Sequence, residues 1–527
     1  MSRGNYFGPA DSVNSTASVR ARRDTLDRVF AAGFPYSRKL EGHKSCVNTL
    51  TFSSGDGRWL ASAGDDLHVQ LWDFHQEDIH SPSCSFFGPR ANVMVVAFSA
   101  SNRYILSGGA DSIVCKYDMS LAAIDAGNPR NYCDQYRQHS DMVRGIAPHP
   151  YQDEVFLSAS DDGRILLHDG RAKNRLTRAQ STLQNNTEFT DVRSHPLVEH
   201  LFATSDSHGK VCLRDSRMAF GPLVNRTREG IVRIYNTKLS KKGSSYLSNP
   251  ESSSITFDRQ GTRLGVTMLH FKPTIYSVSD PHPIAICSGR YRPDGSPVPP
   301  GERSYSNSCT MKHGSFGGPG LATDEYFSAG SDDFRGYVWK LPDTAEMIER
   351  RQMIIADDWE ADDSLSDIGF SEGQRAPRYV PVDLSRPAFQ LNGHKSIVNS
   401  TLIHPSFLHI LTSGVERHII LHATTESSPC ALNMVRTDTN VRNVPDATPE
   451  DHERFIRALR GSHPMLNEEG EESGDEFDTI PLFDQILRHE ADSDVFALRQ
   501  WKRDPNSDSN SDSDSDSDTD DVQISEY

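Results

Sequence analysis

Three histidines stand at matching distances ahead of a hydroxyl and an acid: His43 before Ser62 and Asp66, His139 before Ser158 and Asp162, and His394 before Thr412 and Glu416. Hydroxyl, imidazole and carboxylate are the parts of a hydrolytic triad, in which histidine takes the hydroxyl proton and the acid fixes the ring. A triad is built once, however, and this set returns in several segments at a spacing that is constant to within one residue. Recurrence marks side chains wired together inside a repeated unit. Buried histidine and aspartate need such wiring, since either one unpaired costs on the order of several kcal/mol. Other catalytic signatures are missing: there is no G-x-x-x-x-G-K, G-x-S-x-G or H-E-x-x-H, and "RHEADSD" around Glu490 lacks the second histidine. No catalytic residue, cofactor or metal site is expected.

The elements that must place these residues are short strands. "GHKSCVNTLTF" at Gly42 returns as "GHKSIVNSTLIHP" at Gly393, a repetition that a single compact domain has no reason to contain. In "LEGHKSCVNTLTFSSGDGRWLASAGDDLHVQLWDF" the alternating Val47, Leu50 and Phe52, then Leu60 and Ala61, then Val69 and Leu71, read as three strands divided by Gly-Asp turns. The pattern recurs in "VMVVAFSASNRYILSGGADSIVCKYDM", "HSDMVRGIAPHPYQDEVFLSASDDGRILLHDGR", "FTDVRSHPLVEHLFATSDSHGKVCLRDSR" and "EYFSAGSDDFRGYVWKLP".

These segments resemble WD repeats, the blades of a β-propeller, over roughly residues 36–425. The tryptophan place of each third strand holds Trp72, Tyr117, His168, Arg214, Trp339 and His422. Ten positions earlier stand Ser62, Ser107, Ser158, Thr204, Ala329 and Thr412; six earlier stand Asp66, Asp111, Asp162, His208, Asp333 and Glu416. The resemblance implies a buried chain of histidine, hydroxyl, acid and tryptophan within a blade, shortened where tryptophan is missing. The expected fold is therefore all-β, a seven-bladed WD-repeat propeller with helical and disordered tails. One degenerate blade falls between about 230 and 285, in "SITFDRQGTRLGVTMLHFKPTIYSVSD". Strand edges must not be left bare, so "PYSRKLEGH" is expected to supply the outer strand of the last blade.

Around the ring lie an N-terminal extension (1–35), two insertions and a C-terminal tail (426–527). In the extension, Leu26, Val29 and Phe30 share a helical face that Gly33 ends. The Pro/Gly/Ser-rich stretch 288–308 reads as a mobile loop, and the acidic insertion 343–387 as disordered apart from a short helix at 346–355. "TPEDHERFIRALRG" (448–461) carries helix start and stop signals, and "IPLFDQILRHEADSDVFALRQW" reads as a short amphipathic pair. The Ser-Asp run at the end is low-complexity and open to acidophilic kinases.

Charge is concentrated in that tail. From Asn467 to Tyr527 there are 20 acidic and 4 basic side chains, a net of −16 out of −18 for the chain. What remains is nearly neutral, so charge does not point to direct nucleic-acid binding. No secretory signal or bilayer-length apolar run occurs, and the eight cysteines show no C-x-x-C pairing. Nucleus or cytoplasm, with reduced thiols and no membrane, is the expectation.

Two blades end alike, in "HDGR" and "RDSR", which puts Asp169 and Arg171, and Asp215 and Arg217, in one D-x-R position after the third strand. This resembles the box of cullin-4 ubiquitin-ligase receptors, with His168 and Arg214 in place of its usual tryptophan. "SCTMK" (308–312), "SAGSDDFRGYVWKLP" and the two GHKS phrases are similar to the cullin-4 associated factors, most closely their factor-5 branch. The resemblance implies a non-catalytic platform that holds a protein substrate. The two arginines and their acids would face the adaptor, damage-specific DNA-binding protein 1, and through it cullin-4. A forked guanidinium suits that role as lysine would not. The alternative is a general WD scaffold in chromatin, RNA processing or signalling, without a ligase.

Overall fold

The computed structural model describes residues 9–122, 133–171, 177–319, 321, 323–361, 366–446, 476–490 and 495–496. Seven sheets each begin with an inner strand and step outward through antiparallel neighbours. Blade one is Val47–Phe52, Trp59–Gly64, Val69–Asp73 and Cys84–Phe86; blade two runs from Val93–Phe98 to Cys133–Tyr136; blade three from Val143–Pro148 to Thr182–Gln184. Blade four spans Phe189–Ser194 to Ile231–Tyr235, and blade five Ser252–Phe257 to Pro283–Cys287. Blade six opens at Gly314–Gly317 and blade seven at Val398–Ile403.

The sheets form a ring because each can bury its faces only against its neighbours. The core is accordingly divided into inter-sheet layers. Ala61 and Phe86 of blade one meet Val96 and Ile105 of blade two. Leu106 meets Ile146, Leu157 meets Phe202, and Val211 meets Leu264. Ile284 then packs with Trp339, and Val338 with Ile410. The last layer joins Leu411 and Leu421 of blade seven to Leu60 and Trp72 of blade one, which closes the circle. Tyr36–Leu40 pairs antiparallel along the whole of Ile419–Ala423, from Tyr36 opposite Ala423 to Leu40 opposite Ile419.

The repeat is visible in backbone detail as well. A β-bulge interrupts the pairing of first and second strands at the same place in six blades, for example between Val47 and Thr49 and between Val398 and Ser400. The bulge brings Cys46 O so close to Gly64 that an added Cβ would stand 1.8 Å from it, so only glycine fits there.

Three expectations need correction. Blade five begins at Ser252, and Ile231–Tyr235 is the outer strand of blade four, so the degenerate blade is shorter than 230–285 suggested. The insertion 343–387 is built, not disordered. After the helix Thr344–Arg350, strands Gln352–Ile354, Ile368–Phe370 and Arg378–Val380 join Leu239–Lys241 in an eighth sheet, and Val382–Leu384 adds in parallel to blade five. Its acidic composition hides apolar anchors, since Met347, Trp359 and Phe370 are buried. Nor is 288–308 a free loop: Tyr305 is buried against Trp339, whose indole donates to Ser288 O at 3.0 Å.

The N-terminal helix Pro9–Ala32 packs Phe30 on Tyr326 and, with Phe34, on Phe389; Gly33 ends it at φ 78°. Glu476–Glu490 is also helical, and Leu487 is buried beside Cys46, Phe334, Ile397 and Val415. The expected helix at 448–461 and the Ser-Asp tail lie outside the described residues. No described helix is long and apolar enough to cross a membrane.

Candidate protein-binding face

In blade one His43 Nδ1 lies 2.8 Å from Asp66 Oδ2 and Nε2 2.7 Å from Ser62 Oγ, which also accepts from the Trp72 indole at 2.9 Å. Blade three repeats this with His139, Asp162 and Ser158 at 2.9 and 2.7 Å, and His168 Nε2 takes the indole's place at 2.8 Å from Ser158. Blade seven does so with His394, Glu416, Thr412 and His422. Histidine thus completes the chain in blades three and seven, contrary to the expectation of shortened networks there, whereas blades two and four are shortened as expected, to Ser107 with Tyr117 and to Arg214 donating to Thr204. Ser62 and Ser158 are wholly buried, so no substrate can reach these hydroxyls. The sets bind the turn before each first strand to the turn after the second.

Asp333 and Trp339 do not join such a chain. Ala329 holds the hydroxyl place, so Trp339 turns to Ser288 O, while Asp333 accepts from Tyr337 Oη at 2.6 Å and pairs with Arg335 at 3.1 Å. Blade six is held instead through Lys312, the last residue of "SCTMK". Its ammonium is fully buried, 2.5 Å from Asp332 Oδ1 and 2.7 Å from Thr310 Oγ1, and its carbonyl accepts from Ser254 of blade five. Thr310 in turn donates to Asn399 of blade seven. "SCTMK" is therefore a weld between three blades.

Burial, assisted by the neighbouring His139 and His394, pushes His168 and His422 down to about 3. The unfolded chain takes up these protons near pH 6.5 and the folded ring does not. Their stability is therefore full above about pH 6.5 and is lost as pH falls toward 3, at roughly 1.4 kcal/mol per pH unit for each group. Melting temperature should drop steadily between pH 6.5 and 4.5, and His168→Trp should flatten that slope. An unchanged slope would count against this account.

The opposite end of the sheets is different. Third strands run away from the acid-bearing turns, so Asp169 and Asp215 stand at the far end. Each holds its arginine in a fork: Arg171 donates from Nε at 3.0 Å and Nη2 at 2.8 Å, Arg217 at 3.1 and 2.6 Å. The arginine side chains remain 53% and 66% exposed, with three N–H groups of each guanidinium unspent in the fork. Those hydrogen bonds hold both aspartates below the ordinary carboxylate range.

Asp169 and Arg171 of one box and Arg217 of the other line one cleft of about 310 Å3 between blades three and four, with His149, Glu199 and His200. On its rim stand Tyr151, Leu197 and Val198, large apolar side chains that are 58%, 56% and 44% exposed; Tyr151 Oη donates to Leu197 O at 2.9 Å. Sequence reading passed over these three, although "HPYQDE" and "HPLVEH" put apolar residues in hairpin turns that are ordinarily polar. The N-terminal helix sits on the same end of the sheets, where Asp27 meets Lys340 at 2.7 Å and Arg23 meets Glu325. It lies on blade six, not beside the boxes. Forked cations beside exposed apolar groups suit a protein surface offering carboxylates or carbonyls. Among the described residues no group of side chains could hold a metal ion.

Known proteins resemble this chain in two ways. The family of the WD domain, G-beta repeat, matches residues 34–73, 80–118 and 131–169. The "DDB1- and CUL4-associated factor 5" of Homo sapiens is 28% identical over 489 residues, 90% of this chain, and the Mus musculus protein is equally similar. This chain spans only 42% of either relative's length. The "Methylosome protein WDR77" of Xenopus laevis is 27% identical over 283 residues, 49% of this chain and 80% of that protein.

Proposed function

As a WD-repeat protein similar along nine-tenths of its length to a DDB1- and CUL4-associated factor, this chain, we propose, is the substrate receptor of a cullin-4 ubiquitin ligase. It holds a target protein while the adaptor DDB1 grips the end of the ring bearing Arg171 and Arg217. The observation that carries this reading is the convergence of two Asp-Arg forks and an exposed apolar rim on one cleft. Chemistry is left to the ligase, and the propeller contributes proximity, which turns a bimolecular encounter into an effectively intramolecular one.

Arg171→Ala with Arg217→Ala should reduce recovery of DDB1 with the tagged chain about tenfold or more, the scale of losing two interfacial anchors. Both arginines are surface groups whose pairing adds little to folding, so the melting curve should stay where it is. Undiminished recovery of the adaptor would refute the assignment. A propeller scaffold without a ligase is the second reading, favoured by the match to most of the methylosome protein's length. It predicts no DDB1 among the captured partners.

A further inference from the structure

Beside the ring-closing strand lies a second cleft, of about 940 Å3, walled by Tyr36–Leu40, the turn 393–395 before blade seven and the segment 433–442. It is a basic site on an acidic chain. Arg38 and Arg442 in its walls are already paired, with Asp78 and with Asp484. Lys39, Lys395 and Arg436 are exposed, and among the described residues their side chains have neither a hydrogen bond nor an ion pair. Among the described residues the one acid lining the cleft is Asp438, and the buried Thr437 hydroxyl there lacks a partner. Three unspent cations and an orphan donor call for an anionic ligand with several charges.

We propose that this cleft docks the chain's own stretch 506–521, "NSDSNSDSDSDSDTDD", which holds seven aspartates and no basic residue. In an extended peptide its strict alternation would turn Asp512, Asp514, Asp516, Asp518 and Asp520 to one side. The preceding chain already runs to this neighbourhood: Asp484 of the C-terminal helix clamps Arg442 at the cleft's edge. Further on the chain leaves the cleft, with Val495 O held by Ser248 at 2.6 Å and Phe496 packed on blades four and five, so the tail must reach back. The 31 residues after Phe496 extend to about 100 Å, several times the roughly 20 Å radius of gyration of a domain this size. Tethering keeps the tail at an effective concentration in the mM range, so a weak charge contact suffices to occupy the site. This docking does not depend on the ligase reading.

Acetylation of lysines, read by mass spectrometry on the full chain, tests it. The comparison is a full-length variant with the seven aspartates of 506–521 changed to asparagine. Lys39 and Lys395 should react about threefold more slowly in the wild type at about 0.05 M salt, and equally at about 0.5 M. Lys340, at the other end of the sheets, should react alike in both. Carbodiimide should join Lys39 or Lys395 to tail aspartates within one chain, and Arg436→Ala, which keeps both lysines, should lower that yield. Equal reactivity in the two chains, or coupling found only between two copies, would overturn the proposal.

Discussion

Lys312→Met is expected to destabilise the ring by about 3–5 kcal/mol, the cost of leaving one partner of a buried ion pair behind. Lys312 and Asp332 are both fully buried, and among the described residues the ammonium alone pairs with Asp332 Oδ1, while Oδ2 accepts from Ser308 N. Replacing both, as Lys312→Met with Asp332→Asn, removes the stranded charge and should restore most of the loss, since buried pairs exchanged together are often near neutral. Thermal melting of the three proteins distinguishes the weld from a partner-binding role for "SCTMK". A normally stable single variant would contradict the weld.

Removing the chain through Leu40 should have the larger effect on solution behaviour. Leu40 is buried with Ile419, Leu421 and Trp72, a loss on the order of 2–5 kcal/mol by itself. Its absence also bares the edge of Ile419–Ala423, which among the described residues pairs with no other strand on that side. An exposed apolar edge recruits other strands. The shortened chain should therefore elute as aggregate, and a peptide spanning residues 34–41 should partly restore the monomer. A monodisperse, stable truncation would show that the ring does not need this strand.

Much of this was legible in the chain because a ring of like units repeats its constraints. The spacing of His43, Ser62, Asp66 and Trp72 recurs wherever one turn must be tied to another, so the networks of blades one, three and seven could be aligned by eye. What spacing could not convey was chemistry by substitution. His168 and His422 offer Nε2 at the distance of an indole N–H, and nothing in their position says so. Trp339 misled in the other direction, because Ala329 had removed its hydroxyl. The insertion was misread since a few buried side chains such as Trp359 outweigh many exposed acids. Arg171 and Arg217 stood out by motif, but their shared cleft and the rim of Tyr151, Leu197 and Val198 depend on two blades lying side by side.

Hydrogen exchange of the purified chain with and without purified DDB1 tests the central claim most directly. The account predicts slowed exchange at 149–152, 169–171, 197–200 and 215–217, and no change at the turns of His43 and Asp66. Protection confined to those turns, or none at all at saturating adaptor, would contradict it.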